Sequence, residues 1–278
     1  MAPTTSYRRI PAPQDCVVEH AWVTWLADGA DPVHEVLLPD GRGSVVVSGG
    51  VPGRRTDART RRTTLDADGV RGPSTRVVVR TQTGPSWRVG AQLSPLALSR
   101  IAPGRTWVDT RVDLRELLAA ERADEVTAAV EEAVTRGDDE AAGRLLTAAV
   151  TSAETEPADT DRADALAAMV QEVDATDGLV RGTDLARVAG LAVGTAYRWF
   201  TEDVGIDPAE YLASVRFSRF VRGSLGSGLV TPERVLAVIR DYAAAGYPPR
   251  EVERFTGLRN VDLQRVERGI AQALAPTN

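Results

Sequence analysis

The chain of 278 residues is long enough for two domains with a core in each, and its 43% apolar content is that of a globular protein. No run approaches the ~18 consecutive apolar residues of a membrane-spanning helix, and a single cysteine with two histidines excludes an internal disulfide and a histidine- or cysteine-rich metal cluster. All 33 basic residues are arginine, a compositional bias that accompanies the abundant Ala, Val and Gly, and the net charge of −6 argues at first sight against a nucleic-acid partner. The placement of the charges removes that objection. Residues 1–110 hold 14 arginines against 10 acids, 111–180 hold 6 against 18, and 181–278 hold 13 against 11, so the acidity is confined to the middle.

The first residues carry Arg8 and Arg9 with no apolar stretch behind them, so export is not expected and a cytoplasmic location is. From about residue 11 to 109 the texture is that of strands. Residues 16–25 alternate imperfectly, 35–38 end in a Pro-Asp-Gly turn, 43–48 resume, and further strands are expected at 75–81 and 86–93. The intervening stretch 51–72, rich in Gly, Arg, Thr and Asp, reads as turns and a mobile loop. Short strands at this spacing predict a small β-barrel or sandwich. Trp22, Trp25, Trp87 and Trp107 are expected in its core rather than around a ligand. His20 and His34 lack partners at catalytic spacing, and Cys16 reads as a small buried side chain.

At residue 111 the period becomes helical. Leu114, Leu117 and Leu118, then Val126, Val130 and Val134, then Leu145, Leu146 and Val150 form apolar stripes, and Asp138-Asp139-Glu140 suits a helix start. The neighbouring Glu131 and Glu132 point apart on one helix, as a solvated face does. Residues 154–161 have almost no large apolar side chain and mark a linker. Beyond it, Leu166, Met169, Val170 and Val173 share a helical face.

Residues 183–221 read as a helix-turn-helix with a longer supporting helix. Thr183 is the expected cap of the first helix, whose inner face is Leu185, Val188 and Ala189; Gly190 stops it and Leu191 plugs the corner. A second helix over 193–201 buries Ala196, Trp199 and Phe200 and leaves Gly194, Thr195, Tyr197 and Arg198 outward, side chains a major groove accepts. Asp207-Pro208-Ala209-Glu210 then starts a helix that closes the core with Tyr211, Leu212, Val215 and Phe217. After a glycine-rich break, Thr231-Pro232-Glu233 caps a helix carrying Val235, Leu236, Ile239 and Tyr242.

The succession from Leu185-Ala186 through Gly190-Leu191, Tyr197-Arg198-Trp199-Phe200, Val204-Gly205-Ile206-Asp207-Pro208, Tyr211 and Arg216 resembles the first half of the AraC/XylS-type DNA-binding module. It departs from that pattern at Gly194, where the family carries a long or basic side chain. The strand-rich segment is similar to a β-rich domain of uncharacterised function that precedes such modules in many bacterial regulators. In the second half, Ala245-Gly246-Tyr247 fits the pattern, but only Pro248-Pro249 separates it from a segment like the closing motif, residues 250–258. Either the second reader lacks its recognition helix, or the frame shifts and residues 260–274 form a new one with Arg259, Asn260, Gln264 and Arg265 available to DNA.

The expected fold class is therefore α+β multidomain: a β-rich regulatory or dimerisation domain (1–110), an acidic helical connector (111–153), a linker (154–161) and an all-α helix-turn-helix domain of two units, the second atypical (162–278). The resemblance implies a sequence-specific, DNA-binding transcription regulator, with Thr183, Gly194, Thr195, Tyr197, Arg198, Arg259, Asn260, Gln264 and Arg265 as the DNA-binding residues. The alternative is a protein-interaction module that keeps the helix-turn-helix as scaffold. Expected partners are double-stranded DNA, RNA polymerase, an effector of unassigned identity and a second copy of the chain. With no nucleophile–base pair, metal cluster or phosphate loop, neither enzyme activity nor a cofactor is expected.

Overall fold

The computed structural model describes residues 5–14, 16–157, 159–225 and 230–257. Ten strands make two antiparallel sheets among them. The larger has the order β1-β2-β9-β4-β7-β10, formed by β1 (Thr5–Pro11), β2 (Val18–Leu26), β9 (Ser86–Leu93), β4 (Ser44–Gly50), β7 (Gly69–Arg71) and β10 (Arg111–Val112). The smaller has the order β3-β8-β5-β6, formed by β3 (Val33–Leu37), β8 (Val78–Gln82), β5 (Gly53–Asp57) and β6 (Thr63–Asp66).

Alternation along the larger sheet separates two environments. Ala21, Val23, Val45, Val47, Val89, Ala91 and Leu93 face one side and are almost completely buried. That side is covered by α2 (Ala120–Thr135) and α3 (Asp139–Thr151), whose Val126, Val130, Leu146 and Val150 complete one core with it. Asp138 caps α3 by accepting from the Ala141 amide at 2.9 Å. The acidic helices expected as a connector thus share their core with the sheet, and their Glu131 and Glu132 stay exposed. The imperfect alternation of residues 16–25 has a local cause, a register shift between Val18 and His20 that leaves Glu19 and His20 both on the face away from α2 and α3.

The stretch 51–72 is not a loop. It contains β5, β6 and β7, with Arg54 to Thr56 registered against Leu65 to Thr63 in a hairpin. The β-texture also begins earlier than expected, since Thr5–Pro11 pairs along its whole length with residues 20–26 of β2.

The remaining helices are α1 (Ala97–Ile101), α4 (Thr160–Ala175), α5 (Gly182–Val188), α6 (Val193–Val204), α7 (Pro208–Leu225), α8 (Pro232–Ala244) and α9 (Pro249–Thr256). None of the described helices is long and apolar enough to cross a membrane. α7 divides its buried face between two cores: Tyr211, Leu212 and Val215 pack with α4, α5 and α6, whereas Phe217 and Val221 pack with α8 and α9. At about 1.5 Å per residue it is about 27 Å long.

The second of these cores also takes in Val36, Leu38 and Val77 from the strand-rich part. Two backbone hydrogen bonds run across the same boundary, Val36 N–H to Val230 O at 2.6 Å and Val77 N–H to Phe255 O at 2.9 Å. On the other side of α7, Arg42 donates to Glu19 at 2.7 Å and to Asp174 of α4 at 2.8 Å. Burial opposes the Arg42 charge, but Tyr211, Glu19, Asp174 and Asp40 outweigh it and hold the guanidinium above its ordinary pKa. Gly41 beside it has φ +74°, and a Cβ there would collide with the Tyr211 ring.

Candidate nucleic-acid interface

The first helical unit is built as the spacing predicts, with three exceptions among the residues expected to cap it or fill its core. Leu185, Ala196, Phe200, Tyr211 and Leu212 are buried, and Phe200 meets Tyr211 edge-on at a centroid distance of 5.1 Å. Leu191 packs partly buried against this core. The first exception is the cap: α5 starts at Gly182 with Arg181 as N-cap, so Thr183 sits inside the first turn, exposed, and caps nothing. The second is Val188, expected inside but 47% exposed. The third is Trp199, half-buried, whose ring carries the Arg162 guanidinium 5.5 Å from its centroid.

α6 runs through Val204, one turn beyond expectation, and ends on Gly205 at φ +88°, a left-handed stop that glycine supplies without strain. Its outer side is open. Arg198 is exposed, nothing approaches within 4 Å of the position a Gly194 Cβ would take, and Val193 at the start of the helix is 45% exposed. Thr195 and Tyr197, expected to point outward, are instead half-buried, because the Tyr197 ring folds back with its hydroxyl against Gly182 of α5. Ala192, the N-cap of α6, makes no side-chain cap hydrogen bond.

Composition alone does not reveal what Arg162 does. Its Nε donates to Asp203 at 2.7 Å and a terminal nitrogen donates to Glu202 at 2.8 Å. Slight burial works against its charge, and these bonds more than offset it, so its pKa is raised. Both acids of α6 are thereby paired at the end of the helix remote from Gly194, which lowers the negative charge along its open side.

The second unit is tied to the first by charge-assisted bonds. Arg216 of α7 donates to the Gly178 carbonyl at 2.7 Å and to Glu251 of α9 at 2.5 Å, and the Tyr242 hydroxyl of α8 donates to the other Glu251 oxygen at 2.5 Å. Burial, then the Glu251 contact, raises the Tyr242 pKa, so the phenol stays protonated as a donor. α9 ends on Gly257 at φ +70°. Arg259, Asn260, Gln264 and Arg265 lie outside the described residues. Among the described residues no group of three or more His, Cys, Asp or Glu is placed to hold a metal.

No protein family matches the chain by sequence, and no curated protein matches it. Among solved structures it is similar to ToxT from Vibrio cholerae O395, at 8% identity and a TM-score of 0.39, covering 92% of this chain and 94% of that one. It is also similar to the AraC-like transcriptional activator CuxR, at 15% identity and a TM-score of 0.25, over 80% of this chain and 88% of that one. An unsaturated fatty acid-bound ToxT from Vibrio cholerae strain SCE256 gives 8% identity and a TM-score of 0.23, over 67% and 96%.

Proposed function

We propose that the chain is a DNA-binding transcription regulator of AraC type, in which α6 enters a major groove and α7 spaces a second unit from the first. The observation that carries this reading is the open side of α6: Gly194 without neighbours and Arg198 exposed, on a helix whose opposite side is locked by Ala196 and Phe200. Arg198 reads a base edge, Thr195 and Tyr197 meet the adjacent backbone, and Thr183 lies at the start of α5 beside a phosphate. In the same reading the strand-rich part is regulatory or dimerising, and residues 258–278 complete the second reader.

The test is selection of bound sequences from random duplex DNA by the purified chain, followed by Arg198→Ala. The variant is expected to lose about 1–3 kcal/mol of specific binding with an unchanged unfolding temperature. An identical footprint and affinity would sink the assignment.

A second reading has its own support. The docking of α8 and α9 on β3 and β8 suits a module that uses its helix-turn-helix as a protein-binding scaffold. Gel shifts across a salt series separate the two readings, because a scaffold forms no sequence-specific complex at any salt concentration.

A further inference from the structure

Between the two sheets and α7 lies a cavity of about 350 Å³, at the small end of the range for ligand pockets. It occupies the side of the larger sheet that faces away from α2 and α3, where a cluster of arginines shares the lining with apolar side chains such as Val36, Leu38, Val46 and Val215. Arg55, Arg71 and Arg88 line it, and all three converge on Asp66 behind the wall, at 3.5, 2.9 and 3.1 Å. The Asp66 side chain is 1% exposed and that of Arg88 6%. Glu35 is engaged by Arg80 at 2.8 Å, and Asp68 by the Ser48 hydroxyl. One carboxylate therefore meets three guanidiniums, a surplus of about two positive charges, or about one when the neighbouring Asp68 is counted, in a place where unpaired charge is costly.

Two features show that the protein leaves these arginines incompletely satisfied. The Nε atoms of Arg71 and Arg88 are buried with no hydrogen-bond partner, as is Asp66 Oδ2, which the Arg88 guanidinium meets only as an ion pair. Burial, and after it the Arg55 charge, depresses the Arg71 pKa to about 9; burial foremost depresses that of Arg88 to about 10, against the pull of Asp66. Trp22 also lines the cavity and presents its ring there under Arg88, at 5.5 Å from the guanidinium carbon.

We propose that this cavity binds a small molecule carrying a phosphate monoester, its phosphate held by Arg71 and Arg88 and its remaining part lying along Trp22 toward Arg219 and Arg222 of α7. A phosphate monoester brings between one and two negative charges and three acceptor oxygens, matching the surplus of guanidinium charge in the wall. A monocarboxylate would supply one charge and two acceptor oxygens, less than a phosphate offers to the two guanidiniums. Since α7 carries both helical units, occupancy biases how they sit. That coupling rests on the regulator reading; the binding itself does not.

Calorimetric titration of the full chain with phenyl phosphate tests the proposal, with phenol, malonate and oleate as controls at matched ionic strength. Saturable binding of phenyl phosphate is expected, at least tenfold tighter than malonate or oleate, and none of phenol. Arg71→Lys should weaken it at least fivefold by removing the planar fork. Arg219→Gln, at a half-exposed position outside the Asp66 cluster, should weaken it about twofold and keeps the test alive if the first variant does not fold. Absence of saturable binding, tighter binding of malonate or oleate, or undiminished affinity in both variants overturns the pocket. Binding of phenyl phosphate by a chain that forms no DNA complex overturns the regulator reading and leaves the pocket standing.

Discussion

Gly41 shows how one backbone position couples distant parts of the chain. Its φ of +74° is open to glycine and strained for other residues, and its missing side chain makes room for the Tyr211 ring. Gly41→Ala is expected to cost about 2–4 kcal/mol, from left-handed strain plus overpacking, read as a fall in the urea midpoint. His20 offers a second residue-level expectation. Burial first, then the charges of Arg9, Arg222 and Arg42, depress its pKa from 6.5 to about 4. Between those values the unfolded chain binds a proton that the folded chain does not, so stability present at neutral pH is lost as the pH falls through the window from 6.5 to 4. In His20→Gln, which keeps an acceptor for Arg9, the fall in unfolding temperature between pH 7 and pH 5 should be smaller than in the parent; an equal fall would refute this origin. At this scale the sequence is least legible. In a chain whose only basic residue is arginine, nothing marks Arg55, Arg71 and Arg88 as interior, because burial depends on the partner Asp66 that only the fold supplies.

Legibility improves at the level of elements, wherever one face is apolar. The helix over 193–204 can be read because Ala196, Phe200 and Val204 repeat at the helical spacing and are all buried. The stretch 51–72 cannot, since β5 turns Arg55 rather than an apolar side chain toward the interior, which inverts the pattern by which strands are recognised. Thr183 misleads for a different reason: a hydroxyl residue before an apolar stripe signals a cap, but the cap falls two residues earlier, at Arg181, and the helix begins at Gly182. An element-level prediction concerns α6, whose open position 194 lacks the side chain that the resembling family carries. Gly194→Arg meets nothing within 4 Å at its Cβ and should leave the fold intact. If α6 lies in a groove, the variant steepens the salt dependence of DNA binding by about one counterion and raises affinity at low salt. An unchanged slope would place α6 elsewhere.

For the whole molecule, the strand-rich and helical parts meet along a seam of charge and backbone bonds. Local pattern cannot announce such a seam, because its partners are 132 residues apart in the case of Arg42 and Asp174. Arg42→Met would leave Glu19 and Asp174 facing each other across it. A loss of about 2–4 kcal/mol is expected, below the full cost for a sealed pair because both carboxylates keep some contact with water. Chemical unfolding should then broaden or split into two transitions; a single parental transition would show that the seam contributes little. The bond from the Val36 amide to Val230 has a further consequence. β3 is the outer strand of its four-stranded sheet, and the stretch entering α8 screens it as a guard rail would. If α8 and α9 swung away to reach a second groove, that strand would offer a bare ladder of donors and acceptors to whatever came next. An opened form therefore either closes again quickly or recruits a new neighbour for β3, and reach toward DNA is gained only with exposure to self-association.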